Sequence, residues 1–287
     1  MNNYSLQNEL AEYFRKLHNN DDILIIPNAW DVASAKIFEL SGFQAIGTTS
    51  AGISSTLGFP DEERIGIEAT VNVVSSIHQN TNLPITADIE AGYSENVDEI
   101  ARNIAKIIFA GAVGINLEDC MHNGSKKLFD LAVQCEKISA VREQSNLMGV
   151  RIFINARTDS ILLSDDSIAK KIAMTIDRAN RYIESGADGI FVPDEGELNR
   201  DVITTLIKNI NAPLNIIAGT SILPISMLKD IGVRRISLGP RAMRATFFLL
   251  QKISEEILSE GTFKLLESGP FTYSYVNSWF ENKDSNK

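Results

Sequence analysis

Three acids stand where short apolar runs of the chain end: Asp88 and Glu90 in TADIEAGY, and Glu118 in GINLED. A further run, RIFINARTD, ends on Arg157 and Asp159. Gathering carboxylates at the ends of apolar strands is costly unless a cation compensates them. A hard divalent ion such as Mg²⁺ meets that need, because it takes oxygen ligands and keeps several waters. An arginine beside it grips an anion through two parallel N–H donors. These residue types point to metal-assisted chemistry on a small carboxylate. The D-x-E spacing predicts that strand pleating turns Asp88 and Glu90 to one face, with Glu118 completing the site from the next strand.

Positioning such a set requires strands that end together. Eight β-branched or apolar runs occur, at 23–29, 45–50, 84–90, 114–119, 151–157, 189–193, 214–219 and 235–240. Segments with helical periodicity separate them, for example Ile67/Val71/Val74/Ile77, Ile100/Ile104/Ile107/Ile108, Leu128/Leu131/Cys135/Ile138 and Ile168/Ile172/Ile176/Ala179/Ile183. Eight alternations without a Ser/Pro-rich linker predict one α/β domain, a (β/α)₈ barrel, over an open doubly wound sheet. The domain is expected to span 1–287, with the barrel over about 20–258 and a helical, aromatic tail over 259–287. The junctions SGFQAI, AGAVGI, SGADGI and IGVRRI each set a glycine four residues before an isoleucine. Glycine there suits the left-handed residue that ends a helix, and the isoleucine then enters the next strand.

The remaining composition narrows the class of partner. The 287 residues are 44% hydrophobic, enough for a full core, and carry a formal charge of −10. That charge argues against nucleic acid and anionic membranes, both of which need basic patches. Two cysteines, Cys120 and Cys135, make no disulfide framework. With no apolar leader and no spanning run, a cytoplasmic location is expected.

Other chemistries find less support. None of the eight runs contains a lysine, so a barrel-type Schiff-base aldolase lacks its nucleophile. His18, His78 and His122 show no zinc-ligand spacing, and the first two are expected on helix surfaces. His122, in CMHNGSKK, is expected to be a solvated loop residue able to reach the barrel mouth. Among the polar members of that loop, His122, Asn123 and Ser125, it alone titrates near neutrality, which makes it the candidate acid. The loop GTTSAGISSTLG can present backbone N–H groups to an anion but is no P-loop.

The stretches TTSAGISSTLGFPD, TADIEAGY, GINLEDC, INARTD, SGADGIFVP and SLGPRAMRA, in order over residues 23–250, together resemble the phosphoenolpyruvate mutase/isocitrate lyase superfamily. The resemblance implies a modified barrel whose C-terminal helix is exchanged in a homo-oligomer, a dimer or tetramer. It implies Mg²⁺, with Mn²⁺ as an alternative, on Asp88, Glu90 and Glu118. It also implies that Arg157, Asn123, Asp88 and the loop residues Thr49, Ser50, Ala51 and Gly52 hold a 2-oxo acid, with Asp61 as a further active-site acid. The chain departs from the family in the segment after Glu118. Here EDCMHNGSKKLFD replaces the K-[KR]-C-G-H loop of the isocitrate and methylisocitrate lyases, and Cys120 stands where phosphomutases have lysine.

The expected activity is cleavage of a C–C bond in a small 2-oxo or 2-hydroxy acid through a pyruvate-type enolate, as in an oxaloacetate decarboxylase-like branch. The alternatives are P–C chemistry, as in a phosphoenolpyruvate or carboxyphosphonoenolpyruvate mutase or a phosphonopyruvate hydrolase, and a non-catalytic carboxylate-binding barrel.

Overall fold

A computed structural model of the chain describes residues 5–281, apart from 123, 125, 194, 195, 220–222, 268 and 270. The chain divides into two compact units, residues 1–239 and 240–287.

In the first unit, nine strand segments pair in parallel throughout. They are β1 (Leu24–Ile26), β2 (Asn28–Ala29), β3 (Ile46–Thr48), β4 (Ile85–Asp88), β5 (Gly114–Glu118), β6 (Phe153–Arg157), β7 (Gly189–Val192), β8 (Leu214–Ile217) and β9 (Arg235–Ser237). β1 pairs with β9 and β2 with β3, so the two ends of the sheet are successive pieces of one strand. The fold is a (β/α)₈-type barrel, as expected from the eight runs. Pro27 divides the first strand because it has no N–H to give the ladder. Its carbonyl still accepts from Gly47 N at 2.8 Å, and Asn28 Oδ1 accepts from Leu238 N and Gly239 N at 3.0 and 2.8 Å. The seam is therefore stitched by an asparagine side chain as well as by backbone.

The four junction glycines, Gly42, Gly111, Gly186 and Gly232, all have φ between 89° and 111°. Each precedes a strand whose isoleucine (Ile46, Ile115, Ile190 or Ile236) is buried. At Gly111 a Cβ would also meet the His78 ring at 2.3 Å, so both conformation and space demand glycine there.

Several boundaries differ from the sequence expectation. Six of the eight runs outlast their strands, and Thr49 and Ser50 open a short helix, Ser50–Thr56, instead of ending a strand. Leu128 lies outside the helix Leu131–Leu147 and forms an antiparallel bridge with Cys120.

His18 is a larger correction. It is buried, not on a helix surface, because the helix Ser5–Leu17 lays Phe14 and Leu17 over the barrel's N-terminal end. The His18 ring stacks on Phe153 at 3.8 Å. Burial, followed by the charge of Arg235, lowers it to about 3, so it is neutral at ordinary pH. The barrel interior holds amides where the sequence suggested only apolar strands. Asn155 Nδ2 donates to Asn116 Oδ1 at 2.8 Å, and the buried Arg235 donates to the same oxygen at 3.1 Å.

The second unit contains the helix Arg241–Glu260, capped by Gly261 at φ 66°, and a tail in which Phe271 and Tyr275 pack edgewise on Trp279. Phe247, Leu250, Leu258 and Phe271 are exposed there. Among the described residues no helix is long and apolar enough to cross a membrane.

Candidate active site

β4, β5 and β6 deliver the acids and the arginine to one end of the barrel. Their registers place Asp88 beside Asn116 and Glu118 beside Arg157. Asp88 ends β4 with its N–H donated to Thr48 Oγ1 (2.8 Å). Its Oδ2 accepts from Ser50 N at 3.2 Å and Ser50 Oγ at 3.0 Å.

Glu90 sits in that neighbourhood by a different route from strand pleating. It lies beyond the strand at φ 49°, one of four non-glycine residues with positive φ among the described residues, all in two adjoining loops: Glu62 (78°), Glu63 (60°), Glu90 and Tyr93 (59°). Left-handed backbone at a non-glycine residue costs about 1–3 kcal/mol and persists only where its surroundings hold it. Here they do. Glu90 Oε2 accepts from Glu63 N (2.7 Å), Glu90 Oε1 from Tyr93 OH (3.0 Å), and Glu63 Oε1 from Tyr93 N (2.6 Å). Tyr93 and Glu63 thus aim the buried Glu90 carboxylate. The sequence reading missed both, although Tyr93 closes the TADIEAGY stretch itself.

Glu118 is held on both oxygens. His122 Nε2 is 2.5 Å from Oε1 and Arg157 Nη1 is 2.6 Å from Oε2. Arg157 also donates through Nε and Nη2 to the two oxygens of Asp159, at 2.7 and 2.9 Å. Two of its five N–H donors are used in these hydrogen bonds, Nη1 makes the ion pair with Glu118, and the side chain lines the cavity. Its charge is fixed, because Glu118 and Asp159 outweigh burial and hold the guanidinium well above its ordinary range.

Asp119, next to Glu118, points the other way into the protein. It accepts from Tyr182 OH (2.7 Å), Arg178 Nε (2.8 Å) and Asp159 N (2.9 Å). The acid therefore anchors Asp159, which in turn anchors Arg157. Asp119→Ala would strand Arg178 without its buried partner and should cost about 3–5 kcal/mol in chemical denaturation. A loss below about 1 kcal/mol, the ordinary range for a surface substitution, would show that the anchor carries no weight.

The cavity at this end has a volume of about 310 Å³. Ser50, Asp61, Glu90, Glu118, His122 and Arg157 are among its walls. Of the loop residues expected to bind substrate, Ser50 alone faces it. Thr49 caps the helix Ser50–Thr56 by accepting from Gly52 N, and Ala51 and Gly52 lie outside the lining. Asn123 and Ser125 fall outside the described residues. His122 is not a solvated loop residue: its side chain is 11% exposed, since the Cys120–Leu128 bridge folds the loop back over Glu118. Lys126, farther along the same loop, pairs with Glu62 at 2.9 Å across the cavity rim.

The donor set suits a hard divalent ion. Asp88, Glu90 and Glu118 offer only carboxylate oxygens; these do not all lie within 4.8 Å of one another, yet their mutual repulsion is costly without a cation. Burial, then Asp61, Asp88 and Glu118, pushes Glu90 up to about 8. A divalent cation reverses that cost by favouring the ionised form.

The family model described as phosphoenolpyruvate phosphomutase matches residues 14–258. An uncharacterized protein of Mycobacterium tuberculosis is 37% identical over 226 residues, covering 79% of this chain and 81% of its own. The 2-methylisocitrate lyase of Halalkalibacterium halodurans is 28% identical over 269 residues, covering 89% of this chain and 84% of its own. A crystal structure from Burkholderia cenocepacia, provisionally described as a lyase/mutase, superposes with a TM-score of 0.88 at 29% identity, covering 96% of this chain and 97% of that one.

Proposed function

The chain is an enzyme of the phosphoenolpyruvate mutase/isocitrate lyase superfamily, and from that premise we propose that it is a metal-dependent lyase. Its reaction is cleavage of a C–C bond in a small 2-oxo or 2-hydroxy carboxylate through a pyruvate-type enolate. One observation carries this reading: Glu90, Glu118 and Arg157 line one cavity of about 310 Å³, and Asp88 adjoins it through Ser50, itself in the lining. That volume lies at the small end of ligand pockets and suits an acid of a few carbons.

Asp88, Glu90 and Glu118 hold Mg²⁺ or Mn²⁺ in this reading. The cation, when bound, supplies Lewis-acid polarisation of the substrate carbonyl. Arg157 takes the substrate carboxylate on N–H donors that Asp159 leaves over, and its fork, fixed by Asp159, needs no reorganisation to do so. Ser50 orients Asp88, and Asp61 lines the wall beside it. Lys126 and Glu62, paired at 2.9 Å, both stand at the cavity rim. His122 is the imidazole within reach of the cavity and is assigned as proton donor to the enolate carbon. His122→Gln should then lower kcat about a hundredfold, and an unchanged kcat would pass the proton's delivery to water.

Cys120, where phosphomutases place lysine, favours C–C over P–C chemistry. The direct test offers oxaloacetate, methylisocitrate-like acids and phosphonopyruvate, with and without Mg²⁺, and follows pyruvate. Metal-dependent pyruvate release from either of the first two is expected. Preferential turnover of phosphonopyruvate would overturn the C–C assignment, and no turnover of any would favour a binding barrel.

The apolar side chains exposed on the helix Arg241–Glu260 and the aromatic tail support a homo-oligomer, dimer or tetramer, in which that helix is exchanged. Light scattering should therefore give a multiple of 31.6 kDa, and the single-chain mass would contradict the exchange. Both cysteines are free, in keeping with a reducing cytoplasm.

A further inference from the structure

We propose that Glu118, Cys120 and His122 form a second metal site, which takes a thiophilic divalent cation such as Zn²⁺ and overlaps the carboxylate site at Glu118. A carboxylate oxygen, Cys120 Sγ and a His122 ring nitrogen all lie within 4.8 Å of one another. The backbone explains why. Residues 118, 120 and 122 alternate along an extended segment, which turns every second side chain to the same side. Asp119, between the first two, points oppositely into its buried pairing with Arg178 and Tyr182. The Cys120–Leu128 bridge and the bond from Met121 N to Lys127 O, 2.8 Å, keep the segment extended past the end of β5. The three histidines show no zinc-ligand spacing among themselves; the ligand set appears only when His122 is taken with Cys120 and Glu118.

The donor set decides which metal. One thiolate, one imidazole and one carboxylate match Zn²⁺ or Co²⁺, whereas Mg²⁺ avoids sulfur. Three protein ligands leave an open position, and all three line the cavity, so a small molecule can complete the shell. Glu118 Oε1 now meets His122 and Oε2 meets Arg157. A soft cation taking Oε1 keeps the arginine in place. It also claims an acid that the hard cation needs, so the two cations compete. The competition rests on the metal assignment proposed above; the soft site itself rests on the geometry.

Titrating the metal-free protein with Co²⁺ and recording its absorption tests the sulfur ligand directly. Cys120 and Cys135 are the only cysteines, so the thiolate-to-cobalt band is expected in wild type and in Cys135→Ser and absent from Cys120→Ser. Zn²⁺ affinity, measured against a colorimetric chelator, should fall at least about tenfold in both Cys120→Ser and His122→Gln. No thiolate band in wild type, or equal Zn²⁺ affinity in Cys120→Ser, overturns the site. X-ray absorption of the wild-type zinc protein decides the matter even if the variants fail to fold. Sulfur at about 2.3 Å supports the site, and a shell of nitrogen and oxygen alone overturns it. Excess Mg²⁺ should weaken Zn²⁺ binding. A sulfur signal with no such competition would overturn the sharing of Glu118 and count against Glu118 in the hard-cation set, which separates the two assignments.

Discussion

Chelating the divalent metal should abolish turnover and leave a protein whose stability falls as the pH rises from about 4.5 to about 8. The activity loss follows from the assignment of Asp88, Glu90 and Glu118 as ligands. The stability change follows from Glu90. Its carboxyl is raised from 4.5 to about 8, first by burial and then by Asp61, Asp88 and Glu118. Between those values the native state binds a proton that the unfolded chain has lost. Unfolding therefore becomes easier as the pH rises through that window. Saturating Mg²⁺ removes Glu90's excess proton uptake by favouring the charged form, so the slope should become markedly shallower. Thermal unfolding across the window, with chelator and with Mg²⁺, measures both arms. Equal slopes in the two conditions would mean that the cation does not neutralise this cluster. Glu118→Gln should reproduce the activity loss without chelator, because it removes a charged ligand while nearly conserving shape.

Arg157→Ala should reduce kcat/KM about a thousandfold, the scale of losing a preorganised donor set in a water-poor site. The N–H donors it does not give to Asp159 are the ones assigned to the substrate carboxylate, so much of the loss belongs in KM. The substitution also strands Glu118 and Asp159, which are both buried. A stability cost of about 3–5 kcal/mol should accompany it. Arg157→Lys separates the two effects. Lysine restores a charge beside Glu118 and so recovers stability, but it lacks the planar fork that spans Asp159 and the substrate together. The expected result is a folded, nearly inactive Lys variant. A Lys variant with wild-type kcat/KM would remove the bidentate role.

Much of the architecture was legible along the chain because its signals are local. Glycine at 42, 111, 186 and 232 ends a helix by its own conformational freedom. An apolar run of strand length followed by a helical period reads as one βα unit wherever it falls. The acids at 88, 90 and 118 and the arginine at 157 were visible for the same reason: a charge at the end of an apolar run is unusual in itself.

The errors arose where distant segments meet. His18 read as a surface residue because nothing in the preceding helix hints that the turn after it lies over the barrel floor against Phe153 and Arg235. His122 read as solvated because the bridge from Cys120 to Leu128 is not encoded in either residue. Glu90 was expected on a strand face, yet a left-handed turn and bonds from Glu63 and Tyr93 aim it.

The sequence by itself determined the barrel and the chemical types at its mouth, because periodicity, helix ends and buried charge are properties of a short stretch of chain. Only the tertiary structure decided which acids serve the cavity and which brace it. Glu118 and Asp119 are adjacent and similarly charged, yet one faces His122 and Arg157 and the other faces Arg178 and Tyr182. That difference depends on the side of β5 to which each side chain points and on what the surrounding helices bring there. Neither can be known until the chain has closed on itself.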